Sequence, residues 1–322
     1  MGPQKLGLVT AGGDAPGMNA AIRSVVRTAV FSDLEVVGIE RGYSGLLKKE
    51  YRSLNSRDVS GIIHIGGTIL KTKRSKKIKT PDGIKKAVEN LKEANFDGLI
   101  VIGGDGSFHG AKILQENSGI PIIGIPATID NDIPGTDETI GFDTAVNTAL
   151  GEIDKIRDTA TSHERLFVVE VMGRHSGFIA LHVGVGAGAE MIRVPEVDFT
   201  LDMVSKRLER ARKIGKTSSI IVMAEGAGDC HAFVKQLNEL ALYDTRLSIL
   251  GYAQRGGTPS ARSRLLAGLF GVSAVEHFLD GKKKNFVGLK NGNIVVPNLD
   301  VITKGPKQLD PQLLRAAEII SR

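Results

Sequence analysis

Cysteine is almost missing from this chain. Cys230 is the only one in 322 residues, so no internal disulfide can form, and a reducing compartment is expected. There is no tryptophan, and aromatic residues reach only 5%. The basic residues are not interleaved with aromatics and no nucleic-acid motif is present, so a nucleic-acid partner is not expected. No apolar stretch approaches the ~18 residues of a membrane span. Met1 to Lys5 runs into a strand-like segment without a charged region and apolar signal core. These absences set the expectation of a cytoplasmic protein with no membrane contact. Two nucleotide signatures are also missing: the turn after the first strand is neither G-x-G-x-x-G nor a loop ending in Lys-Ser/Thr. The first absence argues against a dinucleotide-dependent oxidoreductase.

What is present is globular. Apolar residues make up 41% and charged residues 24%, values that exclude a disordered chain, and the length suits two lobes. Lys and Arg number 42 against 36 Asp and Glu, a formal +6, which suits an anionic partner but equally a solvated basic surface. Short β-branched runs alternate with helical periodicity. Leu6–Val9, Val36–Ile39, Leu99–Ile102 and Ile122–Ile125 read as buried strands, followed by Phe167–Val171, Ile220–Met223 and Leu247–Leu250. Continuous rather than alternating apolar runs are what parallel strands covered on both faces require. Helices are expected after Gly17, over 143–158, 201–214, 233–242 and 262–279. Asn291-Gly292 between two apolar triplets is a hairpin signal. The fold class is therefore α/β, with two doubly wound, open, mostly parallel sheets and the active site in the cleft between the lobes.

The unusual residues follow the strands. Gly-Gly occurs at 12–13, 66–67, 103–104 and 256–257, three of the four directly after a strand-like run, and in open α/β sheets ligands bind beyond the carboxyl ends of strands. Gly12-Gly13-Asp14 joins the first strand to its helix as a phosphate cradle of backbone N–H groups. Gly103-Gly104-Asp105-Gly106-Ser107 sets a carboxylate among such donors. Beside phosphates that carboxylate needs a cation, which assigns Asp105 to Mg²⁺. Thr128-Ile129-Asp130-Asn131-Asp132 follows the fourth strand. Read as an extended segment, it points Asp130 and Asp132 the same way, able to orient a hydroxyl and take its proton. Arg174 follows the strand ending at Val171, and Arg165, Arg246 and Arg255 also flank strands; together they read as a site for a phosphate ester. Lys71, Lys73, Arg74, Lys76, Lys77 and Lys79 form a basic segment after Gly66-Gly67-Thr68.

The segments GGDAPGMNAAIR, GGT, GGDGS, TIDND, VVEVMGR and QRGG, in this order, resemble the bacterial phosphofructokinase family over essentially the whole chain, TIDND with VMGR being the most specific. The resemblance implies a nucleotide-binding lobe over 1–140 plus 252–304 and a sugar-phosphate lobe over 141–251 plus 305–322. It also implies a homotetramer, Mg²⁺, and ATP as the phosphoryl donor to fructose 6-phosphate. It makes Asp130 the catalytic base, with Thr128, Asp132, Arg74 and Arg174 beside it. Gly13, Arg74, Ser75, Gly104, Asp105, Gly106 and Ser107 match nucleotide contacts. Thr128, Ile129, Asp130, Met172, Gly173, Arg174 and Glu225 match contacts to the sugar and the moving phosphoryl. Tyr252 and Arg255 match 6-phosphate contacts within the subunit, and Arg165 and Arg246 match arginines that cross a subunit interface. Arg23, Arg27, Arg157, Glu190 and Lys216 match an effector site for ADP or phosphoenolpyruvate.

The chain departs from the family in several places. Tyr252 replaces a usual histidine and can donate a hydrogen bond but no charge. Ala127 stands where ATP users usually have Gly and pyrophosphate users Lys, whereas Gly106 matches the ATP users. Lys71–Ser75 is unusually basic. Ser56 and Ser218 replace basic residues of the effector site. The alternatives are a pyrophosphate-dependent enzyme and a non-catalytic regulatory subunit, which would be expected to lack Asp130 or Arg174.

Overall fold

A computed structural model describes residues 4–320; the first three and last two residues, which the sequence reading gave to the lobe ends and to the N-terminal run, lie outside it. In chain order the elements are β1 (Lys5–Ala11), α1 (Met18–Phe31), β2 (Glu35–Ile39), α2 (Gly42–Lys48), β3 (Tyr51–Leu54), α3 (Pro81–Glu93), β4 (Gly98–Gly103), α4 (Asp105–Ser118), β5 (Ile122–Thr128) and β6 (Ile140–Gly141). There follow α5 (Phe142–Ser162), β7 (Leu166–Val171), α6 (Phe178–Gly186), β8 (Met191–Arg193), α7 (Leu201–Lys213), β9 (Ser219–Ala224), α8 (Cys230–Glu239) and β10 (Thr245–Ile249). The last are α9 (Ala261–Leu279), β11 (Lys284–Phe286), β12 (Gly288–Lys290), β13 (Asn293–Val295) and α10 (Pro311–Ile320). The chain divides into two compact units, Met1–Thr144 with Arg255–Lys307, and Ala145–Gln254 with Gln308–Arg322.

The first unit is built on a sheet ordered β11-β5-β4-β1-β2-β3, with β6 beside β5. Its strands pair in parallel except β2 with β3. β4 is buried along its whole length and β1 and β5 along nearly all of theirs. That is the physical meaning of their unbroken apolar runs: helices cover both faces, and no position can be given to water. Val9, Val101, Phe108 and Phe286 lie in one fully buried cluster with Leu91 and Ile122. The second unit has a wholly parallel sheet, β10-β7-β9-β8, whose core centres on Val168, Ile221, Met223 and Phe233.

Local signals account for many of the boundaries. Thr80 caps α3 by accepting from the Gly83 N–H, with Pro81 at the first helical position. Ser260 and Thr200 cap α9 and α7 in the same way. Asn291 and Gly292 both take positive φ, 49° and 79°, as the two-residue turn between β12 and β13 demands. The donors expected around Asp105 come from a helix start: α4 begins at Asp105, so the backbone N–H groups of that segment are the unpaired ones of its first turn.

Candidate functional site

Parallel register puts three loops of the first unit side by side. Ala11 of β1 pairs with Gly103 of β4, and Gly103 with Pro126 of β5. The Gly12–Asp14, Gly104–Ser107 and Thr128–Asp132 segments therefore leave neighbouring strands at the same edge. Ser107 ties the first two together: its hydroxyl donates to the Ala11 carbonyl at 2.8 Å while its own carbonyl accepts from the Tyr43 hydroxyl at 2.6 Å. A Cβ at Gly103 would stand 2.5 Å from the Ala11 oxygen and 2.6 Å from Ser107 Oγ, so only glycine permits this approach. Burial without a nearby charge pushes the Tyr43 phenol far up, and it remains a neutral donor.

The basic segment is fastened to the same edge. Thr72 Oγ1 donates to the Gly12 carbonyl at 2.9 Å, and Thr10 Oγ1 donates to the Lys71 carbonyl at 2.9 Å. Asn19, buried, donates to the carbonyls of Ile65 and Gly66 and accepts from the Ile69 N–H at 2.7 Å. Arg74 is exposed and Ser75 half-buried on this pinned loop. Gly66 packs backbone to backbone on Gly257, whose carbonyl would lie 2.4 Å from a Cβ at Gly66. Arg255 lies over the first loop, with Nη1 2.6 Å from where a Gly13 Cβ would be and 4.0 Å from Asp14 Oδ1.

Thr128 closes β5. Its carbonyl accepts from Thr139 Oγ1 at 2.7 Å and its hydroxyl accepts from the Asp130 N–H at 3.2 Å. Ile129 is buried and Asp130 is 9% exposed. The extended reading of this segment is wrong. Asn131 has φ 51°, a left-handed kink that sends the chain out of β geometry between the two aspartates, so alternation along a strand cannot fix their directions. The kink is held by Asn131 Nδ2, which donates to the Asp137 carbonyl at 3.2 Å.

In the second unit, Met172-Gly173-Arg174 leaves the carboxyl end of β7. Gln254, fully buried, accepts from the Met172 N–H at 3.3 Å and donates to the Gly251 carbonyl at 3.1 Å. Arg174 has φ 60°, which costs an L-residue about 1–2 kcal/mol. Its N–H donates to Glu225 Oε1 at 2.6 Å. The strained residue is thus held by a carboxylate, while its exposed guanidinium remains at the unit's surface. Tyr252 is 80% exposed.

Arg165 and Arg246 do not join Arg174. They precede Leu166 and follow Thr245, the paired first residues of β7 and β10, whereas Arg174 follows the last residue of β7. The length of β7 separates them, roughly 20 Å at 3.3 Å per residue. The reading of all four arginines as one site is therefore corrected within this chain. Both bind Asp244, Arg165 at 2.8 Å and Arg246 at 2.9 Å. Partial burial works against the Asp244 carboxylate, but the two arginines outweigh it and hold its pKa below the usual range. Of the residues assigned to an effector, Arg23 and Arg27 lie on α1 of the first unit. In the second unit Glu190 is buried, pairing with Lys216 at 2.5 Å and lying 4.0 Å from Arg157.

Asp105, the first residue of α4, suits Mg²⁺ shared with a nucleotide. Its side chain is 33% exposed, with His109 Nδ1 3.3 Å away. Among the described residues no group of three or more His, Cys, Asp or Glu forms a ready cage. One carboxylate plus phosphate oxygens is the donor set of a metal that arrives with its nucleotide. Sequence reasoning gave no role to Tyr43, Gln254, Asp244 and Thr72, which hydrogen-bond Ser107, Met172, Arg165 and Arg246, and the Gly12 carbonyl. Gln254, inside QRGG, and Thr72, inside the basic Lys71–Ser75 segment, carried a signal.

A family description, Phosphofructokinase, matches residues 5–278. The chain belongs to the phosphofructokinase family. Curated relatives include the ATP-dependent 6-phosphofructokinase of Bacillus velezensis, 50% identical over 318 residues and 99% of each chain. That of Clostridioides difficile is 51% identical over 316 residues, 98% of this chain and 99% of the relative. Among solved structures, phosphofructokinase from Saccharomyces cerevisiae superposes with a TM-score of 0.88 at 35% identity, covering 99% of this chain and 47% of that one. A pyrophosphate-dependent phosphofructokinase from Marinobacter aquaeolei gives 0.83 at 25% identity, covering 96% and 86%.

Proposed function

We propose that this chain moves the γ-phosphoryl of ATP onto the 1-hydroxyl of fructose 6-phosphate, giving fructose 1,6-bisphosphate and ADP, as an ATP-dependent 6-phosphofructokinase of glycolysis. One observation carries the reading: a buried carboxylate, Asp130, follows the strand adjoining the Gly-rich helix start of α4, in a chain half identical to enzymes of that name. The N–H groups of Gly13, Gly104, Gly106 and Ser107 cradle phosphates, with Arg74 and Ser75 of the pinned loop closing on the nucleotide. Asp105 holds Mg²⁺ there, which supplies neutralisation of phosphate charge when bound. Asp130 accepts the proton of the sugar hydroxyl, Thr128 and Asp132 orient it, and Arg174 steadies the charge of the transferring group. Ile129, Met172, Gly173 and Glu225 shape the sugar site, and Tyr252 and Arg255 take its 6-phosphate.

Arg165 and Arg246 belong to a neighbouring subunit's sugar site in a homotetramer. What supports this is their place at the amino ends of β7 and β10, away from their own chain's Arg174. The charged cluster of Arg157, Glu190 and Lys216, with Arg23 and Arg27 of the first unit, supports an effector site between subunits for ADP or phosphoenolpyruvate. Among the described residues no helix is long and apolar enough to cross a membrane, and we place the enzyme in the cytoplasm.

Initial rates with fructose 6-phosphate, Mg²⁺ and either ATP or pyrophosphate test the reading, with Asp130→Ser as control. Bisphosphate formation that needs ATP and vanishes in the variant is expected. A pyrophosphate-only rate would show that Ala127 and the basic loop decide the donor, and no rate with either would return the regulatory-subunit reading.

A further inference from the structure

Lys307, the last residue of the first unit, reaches back to the loop that carries the two aspartates. Its Nζ donates to the Asp137 carbonyl at 2.8 Å, the oxygen that also accepts from Asn131 Nδ2 at 3.2 Å. A carbonyl has two lone pairs, and here one serves the ammonium and the other the residue that kinks the chain between Asp130 and Asp132. Asp137 is itself anchored. Its N–H donates to the Leu289 carbonyl at 2.7 Å, and its carboxylate accepts from the Asn291 N–H at 2.6 Å, which anchors it to the β12–β13 hairpin.

The ammonium also acts through its charge. The carboxylates of Asp137, Asp132 and Glu138 attract it and the Lys290 ammonium repels it. Glu138 is shared with Arg262 at 2.7 Å, and Lys290 lies 3.7 Å from Asp137. Burial is the largest influence on Lys307 and outweighs the acidic neighbours, pulling its pKa down to about 8. Lys307 is half-buried, so its charge is screened less than that of a fully exposed lysine and bears on Asp132.

We propose that Lys307 is a positioning residue for phosphoryl transfer: through the Asp137 carbonyl and its charge beside Asp132, it holds the kinked Thr128–Asp132 loop in its working shape. The inference rests on the reading of Asp130 as the base. Lys307 touches no reacting atom; it acts on the loop that does.

The test measures kcat, KM for both substrates and thermal stability between pH 6.5 and 9.5 for the parent enzyme, Lys307→Met, Lys307→Arg and Asp130→Ser. In the parent, kcat falls severalfold as pH rises through about 8. Over the same interval thermal stability rises, because the folded state sheds a partly buried charge while the unfolded lysine keeps its proton. Opposite signs of this kind are not given by a residue that only props the fold. Lys307→Met has a kcat lowered about tenfold at pH 7, an amount equal to ~1.4 kcal/mol of barrier, with no inflection near 8 and with KM for ATP little changed. Lys307→Arg recovers most of that loss and also lacks the inflection. A Lys307→Met enzyme with the parent's kcat and alkaline limb overturns the proposal, as does an equal loss in Lys307→Met and Lys307→Arg with a matching fall in stability. An active Asp130→Ser enzyme overturns instead the assignment of the base, whatever the lysine variants do.

Discussion

Gly106→Ala separates space that the protein leaves from space that a ligand needs. Gly106 is the second residue of α4, and a Cβ built there meets no heavy atom within 4 Å. Alanine therefore enters without strain. In a helix interior it would gain about 0.5–1 kcal/mol over glycine, and less in a first turn. If nucleotide phosphates rest on the N–H groups of this turn, the added methyl stands between them and their donors. Loss of one charge-assisted hydrogen bond costs about 1.5–3 kcal/mol, and each 1.4 kcal/mol is about tenfold in affinity. The expected outcome is a KM for ATP raised roughly 10- to 100-fold, with KM for fructose 6-phosphate within about twofold and a melting temperature equal to or above the parent's. Gly103→Ala is the contrast: its Cβ would lie 2.5 Å from the Ala11 carbonyl oxygen, where β1 cannot yield, so it lowers the melting temperature through overpacking of about 1–3 kcal/mol. An unchanged KM for ATP in a fully stable Gly106→Ala enzyme would refute the placement of the nucleotide over α4.

Two further outcomes are expected. Glu225→Ala removes the acceptor of the Arg174 N–H; kcat should fall about tenfold or more, since a 1 Å misplacement of a catalytic group can cost ~10², and a parent-like kcat would show that the backbone strain at Arg174 is held otherwise. Burial, aided by a bond to Glu170, pushes the Cys230 thiol up to about 11, so a thiol reagent at pH 8 should meet roughly 10⁻³ thiolate and react only on unfolding; because the unfolded thiol ionises near ~8.5, the stabilisation this residue gives is complete below that pH and is lost as pH climbs towards 11.

The strands were legible because burial on both faces leaves continuous β-branched runs, and of the Gly-Gly turns those at 12–13 and 103–104 fall at strand ends, whereas Gly66-Gly67 lies in the long loop after β3 and Gly256-Gly257 follows a short helical turn. The start of α4 was hidden: Gly-Gly-Asp-Gly-Ser has poor helix propensity, and the helix forms there through the Ser107 bond to β1 and the Tyr43 bond to Ser107, contacts 96 and 64 residues apart in sequence that no local pattern announces. The left-handed turn at Asn131 was hidden for the same reason, since its partner carbonyl at Asp137 is fixed by a hairpin over 150 residues away. For Arg165 and Arg246 the bare grouping of strand-flanking arginines and the family resemblance, which sets them across a subunit interface, pointed different ways. Both sit at the amino ends of segments already read as strands, and parallel strands send all their carboxyl ends to one edge; chain direction alone was enough to separate them from Arg174. A residue next to a strand is therefore half an assignment, and the end of the strand it occupies is the other half. On that ground the Gly-rich loops and Asp130 lie at the carboxyl edge of the first sheet, Arg174 at the carboxyl edge of the second, and the Asp244-bound arginines at that second sheet's amino edge.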